Sequence, residues 1–351
     1  MNLSLENYIF QIANFPILGV ITFLVCGVIF FNGWSDMPNA LTTCIATRSI
    51  TPKKGLFLAT IFNFLGIFIM ARLSTNVAQT IFKIVSFGND TEKALMALCS
   101  SLIAIVVWCL IAWILGIPTS QNHALVAGLT GASIALNHGF SGVHFEQWEK
   151  VLLGLFIATI GGFIIAVIIT KLIEKIFKNI DRRKALGFFK KTLVLGDMSM
   201  VFMNGAQDGQ KLLALLILAA FLSNGISDAA LVSIPIWMLF LCFIIMTIGL
   251  YVGGKRIIKN VGMKMAKVET YQGTAADVAS FIVLIIATFL GIPMSTTQTK
   301  TATVMGVGAA KRISSVDWSI VKSIVITWIV TFPGCGILGY IFTSIIMKIF
   351  A

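Results

Sequence analysis

Charge is what this chain of 351 residues has least of. Only 11% of it is Asp, Glu, Lys or Arg, with 14 acidic residues in all, where a soluble domain carries about 25%. Because 58% of the residues are hydrophobic, a water-soluble fold would need a core too large for this length. The composition points to an all-α polytopic membrane protein. Catalytic signatures are also missing: no HExxH, no GxSxG and no Cys/His cluster occurs, so neither an enzyme nor an organic cofactor is expected. The six cysteines lie in apolar stretches without a CxxC pair and are expected as buried free thiols. The N-terminal MNLSLENYIF lacks a basic leader region, so a cleavable signal peptide is not expected. A net charge of +12 raises nucleic acid as a partner. The basic residues, however, sit in short loops between apolar runs, as cytoplasmic loops do, and this excludes it.

What is present is a series of about ten long apolar segments, near 14–31 (continuing to 47), 56–71, 94–115, 123–137, 151–173, 193–222, 231–252, 273–291, 298–310 and 319–347, allowing 10–12 crossings. The shortest falls below the roughly 20 residues a helix needs to span a bilayer, so broken or re-entrant helices are expected. Basic loops after the first span, at 174–191 and at 255–267 contrast with neutral or acidic ones at 88–92 and 138–149. Placing the basic loops in the cytoplasm puts both termini outside and the protein in the cell membrane. The 174–191 linker, rich in lysine and arginine, is expected to be solvated and drawn to anionic membrane lipid.

Four polar stretches interrupt the apolar runs, and they come in pairs. NGWSD at 32–36 returns as NGAQD at 204–208, and GIPTSQNH at 116–123 returns as GIPMSTTQ at 291–298, at offsets of 172 and 175 residues. Two motifs in the same order at nearly the same spacing imply an internal duplication. With five crossings per half, it is an inverted-topology repeat of the kind transporters use. The expected units are 1–173, the linker 174–191, and 192–351.

The chemistry of the pairs is complementary. Gly33 and Gly205 are expected to loosen their helices and Pro38 to remove a backbone donor, setting Asp36 and Asp208 at equivalent breaks. An aspartate at mid-membrane costs about 2.5–3.5 kcal/mol on insertion scales, which a bound cation or proton would explain. Pro118 and Pro293 precede hydroxyl and amide clusters, each opening a new helix whose free N–H groups suit an oxyanion. Lys211 is placed near the site; Lys300 is left between pairing and snorkelling to the surface. Asp277 is read as a helix N-terminal charge or a second cation ligand, and Asn63 as an interhelical hydrogen-bonder.

These motifs resemble those of the inorganic phosphate transporter (PiT) family. Residues 32–66 resemble its first signature, 204–211 its second, and PTSQNH and PMSTTQ its paired P-x-S-T-T-H segments. The resemblance spans nearly the whole chain. It implies a symporter that imports inorganic phosphate by alternating access, coupled to Na+ or H+. It implies cation coupling through Asn32, Asp36, Asn39, Gln207 and Asp208, with Na+ expected at Asp36 and Asp208. It implies phosphate held by Ser120, Gln121, Asn122, Ser295, Thr296, Thr297 and Lys211. Gln121 and Asn122 replace two threonines, and Gln298 replaces a histidine, yet all remain hydrogen-bond capable. A symporter for another oxyanion such as sulfate, or a passive anion channel, is the alternative. The expected partners are phosphate, the coupling cation and membrane lipid, with a homodimer allowed for.

Overall fold

The structure is a computed structural model that describes residues 3–88, 90–115, 120–225, 234–264, 269–313 and 318–350. It is helical almost throughout. An amphipathic α1 (Leu5–Asn14) leads into α2 (Pro16–Ser35) and two short turns, α3 (Met37–Ala40) and α4 (Thr42–Ala46). There follow α5 (Pro52–Leu73), α6 (Asn76–Phe82), α7 (Thr91–Leu115) and α8 (Gln121–Leu136). α9 (Phe145–Phe156) continues through a π-turn into α10 (Gly162–Phe177), forming one span of 33 residues. The second half holds α11 (Arg182–Leu222), α12 (Ile236–Lys264), α13 (Thr270–Phe289), α14 (Thr296–Lys311) and α15 (Trp318–Phe350).

Among the described residues, 8 helices are long and apolar enough to cross a membrane, against the ten expected. The difference lies in α8 and α14. Each has 16 residues, a rise of about 24 Å against the roughly 30 Å of a hydrocarbon core. Both start inside the protein from a serine cap. Ser120 accepts from the backbone N–H of His123 at 3.4 Å, and Ser295 from that of Gln298 at 3.3 Å. This satisfies one of the N–H groups a helix start leaves open.

The basic segment 174–191 is mostly helical instead of a loop. α10 runs to Phe177 and α11 begins at Arg182, so only 178–181 connect them. The expected break at Asp208 is also absent: α11 is a continuous helix of 41 residues through it. The two motifs differ because Pro38 follows Asp36 by two residues. Its missing N–H ends α2 at Ser35, whereas Gly209 and Gln210 after Asp208 keep theirs.

The halves are interleaved rather than side by side. α2 packs on α12 and α5 on α11; α8 packs on α15 and α14 on α10. Under exchange of the halves these pairings map onto one another. The glycines make this concrete. A side chain at Gly66 would meet the backbone of Phe202, and one at Gly249 that of Phe30, which lies 172 residues before Phe202. Gly33 abuts Met246 and Gly205 abuts Asn63 in the same manner. These two glycines therefore bring helix backbones together and do not loosen them. Asn63 of α5, fully buried, reaches the sulfur of Met246 on α12 at 3.9 Å.

Replacing Gly66 by Val forces α5 off α11. The expected loss is at least about 3 kcal/mol, the upper end of overpacking costs, read as a lowered melting temperature in detergent. Gly187→Ala, where nothing lies within 4 Å of the added carbon, is the matched control and is expected to melt like the parent.

Candidate functional site

The two helix starts meet the two aspartates at the interior of the bundle, and they do so crosswise. Thr297, at the start of α14, donates its hydroxyl to Asp36 Oδ1 at 3.3 Å. Asn122, at the start of α8, donates to Asp208 Oδ1 at 3.1 Å. Each start also holds the asparagine one turn before an aspartate. Asn32 donates to Gln121 Oε1 at 2.9 Å, and Asn204 donates to Thr296 Oγ1 at 3.3 Å. Those asparagines in turn donate to their own aspartates, Asn32 to Asp36 at 3.2 Å and Asn204 to Asp208 at 2.7 Å. Thr296 adds a further donor to Asp208 at 3.1 Å, and Ser35 one to Asp36 at 3.4 Å. One network thus joins α2, α8, α11 and α14.

The two carboxylates are balanced differently. Asp208 carries a salt bridge to Lys211 Nζ at 2.9 Å, both side chains being 1% exposed. Lys211 also donates to the Met294 carbonyl just ahead of α14. Asp36 is surrounded by neutral donors and forms no ion pair among the described residues. Two acceptor oxygens, Asn32 Oδ1 and Asn204 Oδ1, are buried without a hydrogen-bond partner. An oxygen with no donor beside a carboxylate is the donor set a hard cation selects.

Asn39, Ser120, Gln121, Asn122, Ser295, Thr296 and Thr297 all belong to this region. Asn39 and Asp36 line a cavity of about 10 Å³ with Ala40, Met200, Asn204, Thr296, Thr297 and Lys300. Ser120 and Ser295 act through their caps, and Gln121 ties α8 to the Val28 carbonyl at 2.8 Å. Gln207 does not face the carboxylates. Its amide donates to Thr288 at 2.9 Å and Ile292 at 3.3 Å and accepts from the Met294 N–H at 3.2 Å. It braces the loop before α14. Gln207, expected at the cation site, is thus placed at this brace and not among the hydrogen-bond partners of the carboxylates. Pro118 and Thr119 lie outside the described residues.

A second buried cluster lies beside the first. Lys300 on α14 pairs with Asp197 on α11 at 2.9 Å and with Asp277 on α13. Asp197 also accepts from the Cys44 backbone N–H at 2.6 Å. Asp277 is therefore a buried ion-pair partner and not a helix N-terminal charge, and Lys300 does not snorkel. Asp197 gave one available signal, an acid inside an apolar run. Asn204 gave a stronger one, since it repeats Asn32 at the offset of 172. His123 stacks on Phe332 with centroids 4.6 Å apart.

Comparison with known proteins adds the following. A family model described as the phosphate transporter family matches residues 32–339. A protein of Bacillus subtilis (strain 168) named "probable low-affinity inorganic phosphate transporter" is 32% identical over 95% of this chain and 99% of its own. One of the same name from Rhizobium meliloti (strain 1021) is 29% identical over 93% of this chain and 95% of its own. The solved structure titled "The sodium-dependent phosphate transporter" superposes with a TM-score of 0.85 at 21% identity, covering 96% of this chain and 100% of that one. It shares the fold.

Lys300→Met would leave Asp197 and Asp277 buried without a countercharge. A destabilisation of about 3–5 kcal/mol is expected, measured by thermal unfolding in detergent. Adding Asp197→Asn and Asp277→Asn to that variant is expected to recover part of the loss.

Proposed function

Since the chain belongs to the phosphate transporter family, we propose that it imports inorganic phosphate by alternating access, coupled to Na+ or H+. As a multi-pass membrane protein of a transporter family, it is not an enzyme. The relatives' names and the neighbour's title support phosphate as the substrate and a cation as its companion.

Crossed donation carries the reading. Thr297 and Asn122 stand at helix starts, where open N–H groups and the helix dipole favour an oxyanion, yet they now serve Asp36 and Asp208. A donor cannot serve a carboxylate and a phosphate oxygen at full strength together. Phosphate bound between Ser120, Gln121, Asn122 and Ser295, Thr296, Thr297 draws these donors away. Asp36, which has no ion pair among the described residues, then stands buried and under-compensated, a state that costs several kcal/mol in a medium of low dielectric. A cation on its carboxylate, with Asn32 Oδ1 or Asn204 Oδ1 as a further ligand, restores the balance. Phosphate therefore strengthens cation binding, and the cation strengthens phosphate binding by the same factor.

The geometry described is a closed one. The cavities at Asp36 and at Lys211 are each about 10 Å³, room for a water or a bare cation and not for phosphate. Phosphate enters as the helix starts part. The reciprocal packing of the halves supports an inverted repeat, in which opening on one face is matched by closing on the other.

Radiolabelled phosphate uptake into proteoliposomes, with Na+ and H+ gradients imposed separately, tests this. One gradient is expected to drive accumulation, and Asp36→Asn or Asp208→Asn to cut it roughly tenfold or more, the worth of one charge-assisted hydrogen bond. Uptake that only equilibrates would indicate a passive channel. Accumulation of sulfate in place of phosphate would reassign the oxyanion.

A further inference from the structure

We propose that Lys211 is a cation built into the chain, so that Asp36 alone of the two site carboxylates takes a mobile coupling cation. The inference rests on the transport reading above and specifies its stoichiometry.

The repeat offers the comparison. A shift of 172 residues lays Asp208 on Asp36, Asn204 on Asn32, and Lys211 on Asn39. The carboxylate is thus present in both halves, and the residue three positions on differs by a full charge. In the second half the lysine ammonium lies 2.9 Å from Asp208 Oδ1 and bonds the Met294 carbonyl. That is two oxygen ligands around a compact monovalent charge on a flexible stem. In the first half Asn39 turns its side-chain amide back to the Ser35 carbonyl at 2.9 Å and offers the Asp36 carboxylate no donor. The donors that reach Asp36, from Asn32, Ser35 and Thr297, are all neutral.

The small cavities differ in the same sense. The one against Asp36 is lined also by Asn39, Asn204, Thr296 and Thr297, and the Asn204 Oδ1 oxygen has no partner. Lys300 touches this cavity, but its ammonium is held by Asp197 and Asp277. The other cavity has Lys211 in its wall, with Asn122, His123, Met294, Ser295 and Gln298. A mobile cation is attracted to the first and repelled from the second. Asp208 is already neutralised, and a second mobile cation there would have to displace a tethered one.

The test is the order of phosphate uptake in its driving cation, measured in proteoliposomes with Na+ or H+ as the varied ion. The parent protein is expected to be first order. Lys211→Asn, which copies the first half, is expected to become second order, with the cation concentration for half-maximal uptake raised. Asn39→Lys is expected to carry out phosphate–phosphate exchange with no dependence on the cation, its lysine now occupying Asp36. Lys211→Arg, which keeps the charge, is expected to stay first order.

Second-order dependence in the parent protein overturns the proposal without reference to any variant. So does a folded Lys211→Asn protein that stays first order, or an Asn39→Lys protein whose exchange still needs cation. A parent protein that shows no phosphate accumulation under either gradient overturns the transport reading itself, and the stoichiometry with it. Parent uptake that accumulates with the wrong order sinks only the role of Lys211.

Discussion

A carboxylate inside an apolar bundle has to be surrounded by donors, and the donors of Asp36 and Asp208 come partly from the opposite half of the chain. Much of the surrounding structure serves to place them. Serine caps hold the starts of α8 and α14. Gln207 fastens the loop that delivers α14. Pro38 ends α2 where Asp36 must turn inward. Glycines let α2 and α12, and α5 and α11, approach backbone to backbone. Removing a carboxylate's donors in this setting costs more than removing the pair altogether. That asymmetry makes the site sensitive to anything that competes for Thr297 and Asn122.

The two halves resemble each other in outline and differ in charge. The second half is stitched by ion pairs: Lys211 to Asp208, and Lys300 to Asp197 and Asp277. The Lys300 pairs tie α14 to α11 and α13, whereas the Lys211 pair lies within α11. The first half has neither lysine, and its aspartate stands at a helix break. The cluster around Lys300 also reaches the Cys44 N–H through Asp197, so the second half holds the chain just beyond the Asp36 break.

Much of this was legible in the residues. Polar interruptions in an apolar chain mark a site because lipid tolerates them nowhere else, and the repeat named Asp36, Asp208 and both helix starts. The same repeat lays Asn204 on Asn32, and that pairing is the sequence signal for its place beside Asp208. The cluster of Asp197, Asp277 and Lys300 was harder to see. Its members sit on three helices and have no charged counterparts at the repeat offsets, so no pattern links them before the chain is folded. The break assumed at Asp208 failed because the repeated motif carried the aspartate and not the proline. Among the described residues eight helices are long and apolar enough to cross a membrane, because the segments holding α8 and α14 fold as helices of only 16 residues. The boundary at 174–191 marks a change in sequence composition, while packing runs across it.

Interleaving also sets an order of assembly during synthesis. A chain is made from its N-terminus, and α2, α5 and α8 find α12, α11 and α15 only after the second half has emerged. Until then the glycine-lined faces and the side chain of Asp36 lack the backbones and donors that cover them. The first half is thus a half-structure in the membrane whose packing faces are completed only by the second. The last helix, α15, is the one that closes over α8, so truncation near the C-terminus damages the middle of the protein.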